Sequence, residues 1–165
     1  MSDPTHIDKD MNHIYLDFRV LLQATLQQAN HECHDPATGK PKFPDFVEWI
    51  VFEGYRSQER QSYLYAQGRS RTGNIVTNAK VPGWHGFGLA CDVVWKDRLG
   101  HLHWDGDAGL WDILGHCARA NGLEWGGDWK GNLGDKGHIQ IPKSVVSSYK
   151  PKARQYLKGL GLSTP

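Results

Sequence analysis

Residues Trp84–Asp92 read WHGFGLACD, and this stretch decides how the rest of the chain is understood. His85 and Asp92 flank a segment in which Gly86 and Gly88 permit a sharp bend. The run from Leu89 to Trp95 then reads as a buried strand with a carboxylate in its middle. An unpaired carboxylate is too costly to bury, so Asp92 calls for a cation beside it. A basic side chain or a metal ion would serve.

The downstream run Asp135-Lys136-Gly137-His138 supplies what a metal site would still lack. Catalytic zinc takes three protein ligands and keeps a fourth position for water, whose pKa falls to about 7. His85, Asp92 and His138 are suitable donor types, and two neighbouring strands would bring them to one face. Asp135, on the turn entering the last strand, is the candidate general base and acid. Arg56 is the candidate for holding a substrate carboxylate or for stabilising an oxyanion. A histidine and an aspartate at this spacing also recur by chance. The plain alternative is a carboxylate paired with arginine or lysine and a histidine capping a turn. Spacing alone leaves both open.

The remaining segments read as scaffold. Apolar residues at helical spacing predict a helix over 10–30. A polar loop follows to Pro44, and its His31, Cys33, His34 and Asp35 match no closed zinc motif. A strand is expected from Phe46 to Phe52. Ser57 is placed to cap a helix from about Gln58 to Gln67, which Gly68 closes. Residues 69–83 form a long polar connection. A short hairpin through His101–Trp104, a helix over 108–121, a strand at 123–125, a glycine-rich loop at 126–137 and a strand at 138–141 come next. Pro151 is expected to limit the last helix to starting near it.

The architecture expected is α+β: a single compact domain over 1–165, with a small mainly antiparallel sheet, packed helices and a zinc site in a cleft. Residues 1–9 are expected to form a flexible lead, with no separate second domain. A formal net charge of +1 gives no electrostatic case for nucleic acid or for stable membrane association, and a monomer is expected. Three cysteines cannot all pair within one chain, and none has CxxC spacing, so free thiols are expected. The polar N-terminus lacks the apolar core of a signal peptide. Asp128 is read as ordering its loop rather than as a base. His101 and His103 are read as exposed, Glu59, Arg60, Arg69 and Arg71 as solvated faces. Of Trp84, Trp125 and Trp129, at least one is expected to line a substrate groove.

The segments EGYRSQERQSYLYAQGRS, VTNAKVPGWHGFGLACDV, LEWGGDWKG and GDKGHIQI occur in this order between residues 53 and 141. Together they resemble the zinc peptidoglycan peptidases of the D-alanyl-D-alanine carboxypeptidase and L-alanyl-D-glutamate endopeptidase family. The combination of YRS, WHGFGLACD and WGGDW resembles the phage endolysin branch. The resemblance implies one zinc ion on His85, Asp92 and His138, Asp135 as acid-base residue, and Arg56 as a substrate or transition-state contact. The implied activity is cleavage of the L-alanyl-D-glutamate bond in the stem peptide of bacterial peptidoglycan, with D-alanyl-D-alanine carboxypeptidase activity or a non-catalytic wall-binding module as rivals. It also implies synthesis in the host cytoplasm and action on the wall in the periplasm after holin-dependent release. Two positions depart from the family pattern. Gly83 stands where serine is frequent. Gly137 stands where proline is frequent, which is expected to loosen the turn carrying Asp135.

Overall fold

Period-two alternation in the strand around Asp92 sets the architecture. In the computed structural model, which describes residues 3–131 and 134–165, β2 spans Ala90–Asp97. Cys91, Val93 and Trp95 point into the main core, which places Asp92 and Val94 on the opposite face. β1 (Phe46–Glu53), β3 (Leu102–His103), β4 (Glu124–Trp125) and β5 (His138–Gln140) complete an antiparallel sheet. The order is β1-β2-β5-β4, with β3 pairing separately with β2.

One face of the sheet is covered by helices α1 (Leu16–Glu32) and α3 (Ala108–Ala120). Phe18, Leu22 and Ala29 of α1 meet Leu110, Trp111, Leu114 and Ala118 of α3 in a core shared with Trp49 and Ile139. Fully burying each large side chain of this set contributes about 1.5–3 kcal/mol. Helix α2 (Gln58–Ala66) starts at Ser57, whose side chain accepts a hydrogen bond from the Arg60 backbone N–H at 3.2 Å. Cys33, Cys91 and Cys117 are free and buried, and burial pushes the Cys33 thiol up to about 11 and Cys117 to about 12.

The structure departs from expectation at both helical ends of the chain. Instead of one helix over 10–30, a 3₁₀ turn at Met11–His13 is followed by extended backbone at Ile14, and α1 begins at Leu16. The break lets Tyr15 N–H donate to Gly88 O at 2.9 Å and buries Ile14 completely. This tertiary contact overrides helical periodicity. Helix α4 (Val146–Gly159) starts well before Pro151 and contains it. Buried Val146 anchors its first turn, and Val146 N–H donates to Pro142 O at 3.1 Å.

Residues 3–9, read as a flexible lead, lie against the body. Asp8 O accepts from Gly54 N–H at 2.8 Å, and the Asp8 carboxylate meets His13 Nδ1 at 2.8 Å. Residues 1–2 of that lead, and 132–133 of the glycine-rich loop, lie outside the described residues. Among the described residues, no helix is long and apolar enough to cross a membrane.

Candidate metal centre

Strand register assembles the centre. Glu53 of β1 pairs with Asp92 of β2, and Asp92 pairs with His138 of β5. These three residues therefore form a row across the sheet. His85 arrives from a 3₁₀ turn, His85–Phe87, that ends at left-handed Gly88 (φ 62°). A Cβ on Gly88 would come within 2.6 Å of His13 O, so both the dihedral and the close approach require glycine.

His85 Nε2 lies 3.3 Å from Asp92 Oδ1, and His138 Nδ1 lies 3.2 Å from the same oxygen. The far side of each ring is already engaged. His85 Nδ1 is 2.7 Å from Gly54 O, an acceptor only, so that nitrogen carries the proton. His138 Nε2 is 2.8 Å from Gln140 Oε1 and donates likewise. Neutral rings in these tautomers aim two lone pairs at one carboxylate oxygen, an arrangement that calls for a cation between them. Two imidazole nitrogens and a carboxylate oxygen suit zinc, with the outer hydrogen bonds fixing each ring's orientation. The donor set therefore fits the metal ion that the sequence resemblance implies. Among the described residues, these three form the only cluster of His, Cys, Asp and Glu with converging ligand atoms.

The groups of the centre shift one another's titration. Burial alone would raise the Asp92 pKa, but His85, His138 and Arg56 hold it well below the ordinary carboxylate value. Burial, then the Arg56 charge, lowers the His85 pKa and keeps the ring neutral. Burial opposes the charged form of His138 as well, yet the hydrogen bond and charge of Asp92 raise its pKa on balance.

Arg56 stands behind Asp92. Its Nη2 donates to Asp92 Oδ2 at 2.7 Å and to Glu53 Oε2 at 2.6 Å, Nε donates to Glu53 Oε2 at 2.9 Å, and Nη1 donates to Gln61 Oε1 at 3.1 Å. Glu53 Oε1 in turn accepts from Arg60 Nε at 2.8 Å. Arg60 is buried, not solvated as its sequence neighbourhood suggested, because only there does it offset the second oxygen of Glu53. Sequence reasoning overlooked Glu53, Gln61 and Gln140. β1 carried a signal for the first, since Glu53 follows directly on the apolar run Trp49–Phe52.

Asp135 borders the same cavity, a cleft of about 1180 Å³ that also reaches His85, Asp92 and His138. Solvent reaches Asp135, but surrounding protein strips hydration from its carboxyl. That burial, then the Asp92 charge, raises its pKa. Gly137 does not loosen this turn. A Cβ there would lie 2.9 Å from Val93 O and 3.0 Å from Trp104, and the Gly137 N–H hydrogen-bonds the Asp135 side chain. Proline would lack that donor. Gly83 is left-handed (φ 55°) beside open space, a backbone state that serine adopts only with strain.

Gly126 locks the turn from the other side. It accepts from Asp135 N–H at 2.9 Å, and a Cβ on it would overlap Asp135 O and sit 3.0 Å from His138 Cβ. Gly126→Ala is expected to lower unfolding free energy by about 1–3 kcal/mol and to weaken metal binding, measured by urea denaturation and metal titration. Unchanged values in both would show that the turn moves aside freely.

The other candidates fall outside the centre. Asp128 pairs with Arg119 Nη1 at 2.9 Å. His34 Nδ1 meets Asn30 O at 2.7 Å, and Asp35 accepts from Ala37 and Thr38 backbone N–H groups, so this loop is held as a turn. His101 and His103 both contact Asp97, and His103 stacks on Trp95. Trp84 and Trp129 line the cleft, whereas Trp125 is buried and donates to Lys136 O at 2.7 Å.

Residues 77–141 match the family model described as D-alanyl-D-alanine carboxypeptidase. Over 103 residues the chain is 35% identical to the peptidoglycan L-alanyl-D-glutamate endopeptidase CwlK of Bacillus subtilis (strain 168), an alignment covering 58% of this chain and 61% of that protein. The chain thus spans about three fifths of this curated relative. The crystal structure of an L,D-carboxypeptidase, DacB from Streptococcus pneumoniae, matches with a TM-score of 0.52 at 15% identity, covering 95% of this chain and 82% of that one. This last likeness is one of fold alone.

Proposed function

We propose that this chain, which carries the D-alanyl-D-alanine carboxypeptidase family domain over residues 77–141, is a zinc peptidase that cleaves the L-alanyl-D-glutamate bond of peptidoglycan stem peptides and serves as an endolysin. The observation that carries the proposal is the convergence of His85 Nε2, Asp92 Oδ1 and His138 Nδ1 beside Asp135 in one cleft. A zinc ion on those three atoms would polarise the scissile carbonyl and acidify a water.

The protein's own groups do the rest. Asp135 takes the proton from the attacking water and delivers it to the leaving amine, and its raised pKa suits both halves of that transfer. Arg56 keeps Asp92 ionised and oriented. Four of its five N–H donors have protein acceptors, so one Nη1 hydrogen remains to meet negative charge developing on the carbonyl oxygen. Trp84 and Trp129 give the cleft aromatic walls for the substrate.

The test is digestion of purified muropeptides followed by mass spectrometry. Release of the stem from N-acetylmuramyl-L-alanine is expected. Loss of a single alanine from a pentapeptide stem would instead establish a carboxypeptidase. Chelation is expected to abolish turnover and lower the melting temperature, and added zinc to restore both. At a free zinc concentration of 100 times Kd, the bound ion stabilises the fold by about 2.7 kcal/mol. Full turnover after complete metal removal would overturn the proposal.

A further inference from the structure

Cleavage before D-glutamate, the bond named in the proposed function, puts a carboxylate next to the scissile nitrogen. The α-carboxylate of a γ-linked D-glutamate is free unless the cell amidates it. A cation must meet that charge, and the arginines of the cleft are engaged, the one remaining Nη1 hydrogen of Arg56 being assigned above to the carbonyl oxygen. Arg56 is held by Glu53, Asp92 and Gln61, and Arg60 is buried against Glu53 and the Pro4 carbonyl.

The cleft has two further cations in its lining, Lys143 beside the Trp129 ring and Lys130 next to Trp129 in the chain. Trp129 stands close to the centre, with its ring centroid 5.1 Å from that of His138. Lys143 Nζ lies 5.5 Å from the Trp129 ring, and its side chain is 70% exposed. Its nearest carboxylate is Glu124, at 3.9 Å, and Glu124 is occupied elsewhere. Glu124 Oε1 accepts from Trp129 Nε1 at 2.9 Å, and Oε2 accepts from the Lys143 backbone N–H at 3.1 Å. Glu124 therefore clips Trp129 and the start of the 143–145 turn together, while leaving the Lys143 ammonium weakly held. Among the described residues, no carboxylate pairs with Lys130.

We infer that Lys143, assisted by Lys130, binds the α-carboxylate of the D-glutamate residue and makes the enzyme selective for stems in which that group is not amidated. The inference rests on the proposed endopeptidase function. A flexible ammonium on an open rim suits a carboxylate that arrives with substrate and leaves with product. No rigid fork is required there, because the centre itself fixes the scissile bond.

The experiment compares two purified muropeptides that differ only in a free or amidated α-carboxyl on D-glutamate. Wild-type enzyme is expected to show a KM about five- to tenfold lower for the free acid, the size of a partly exposed charge-assisted contact. In Lys130→Gln/Lys143→Gln the two KM values converge, through a rise on the free acid alone. The effect falls on KM rather than kcat, and it shrinks in wild type at high salt. A preference that survives in the variant, or an equal loss on both substrates, would overturn the inference while leaving the endopeptidase function standing. Cleavage by wild type at another bond would overturn both.

Discussion

Asp135→Ala is expected to lower the rate of stem-peptide cleavage by about 10²–10⁴-fold, the usual effect of removing a general base. Metal content and folding should survive. The raised pKa of Asp135 accounts for that separation. A carboxyl raised by burial and by the Asp92 charge is less comfortable ionised in the fold than in the open chain. Its folded pKa lies above its unfolded value, so its ionisation opposes folding at neutral pH, and alanine removes that opposition. The variant should therefore melt no lower than wild type by more than the lost Gly137 contact allows. Asp135→Asn keeps the shape and a hydrogen-bond acceptor but cannot take a proton, and it should be equally slow. Zinc titration, thermal melts and muropeptide turnover on the three proteins decide the matter. Full turnover in either variant would assign proton transfer to another group.

Glu53→Gln is expected to have the largest effect on the fold. Glu53 is 2% exposed and neutralises both Arg56 and Arg60. A neutral amide in its place leaves two buried guanidinium groups sharing less negative charge. Breaking a buried pair in this way costs about 3–5 kcal/mol. Arg56 would then lean more heavily on Asp92, the one acidic partner left to it, and compete with the metal for that carboxylate. Metal affinity should fall by about 10–100-fold, as it does when an outer partner of a ligand is lost. Urea denaturation and competitive metal titration measure the two effects. Stability and affinity both equal to wild type would show that Glu53 is a bystander.

The sequence stretch around Asp92 conveyed both local structure and chemical need. Alternation made β2 a strand, and the cost of an isolated carboxylate demanded a cation. The same local logic reached the Ser57 cap and the extents of α2, β1 and α3, where side chains interact within a few residues. It failed at Ile14–Tyr15 and at Pro151. There a distant partner, Gly88 in one case and the core beneath Val146 in the other, outweighed local preference. It also misjudged Arg60 and Gly137, because nothing near them in sequence announces Glu53, Val93 or Trp104 as neighbours.

The candidate donor types, the acid-base candidate and the strand that carries Asp92 were legible along the chain, since these depend on residue chemistry and short-range periodicity. Only the folded chain puts Glu53, Asp92 and His138 in one row, brings Gly54 O to His85 Nδ1, and commits Arg56 to Asp92 before any substrate. Register and the His85 tautomer depend on hydrogen-bond partners tens of residues away along the chain, which no local pattern announces. WHGFGLACD states that a cation is needed; the sheet decides which nitrogen atoms face it.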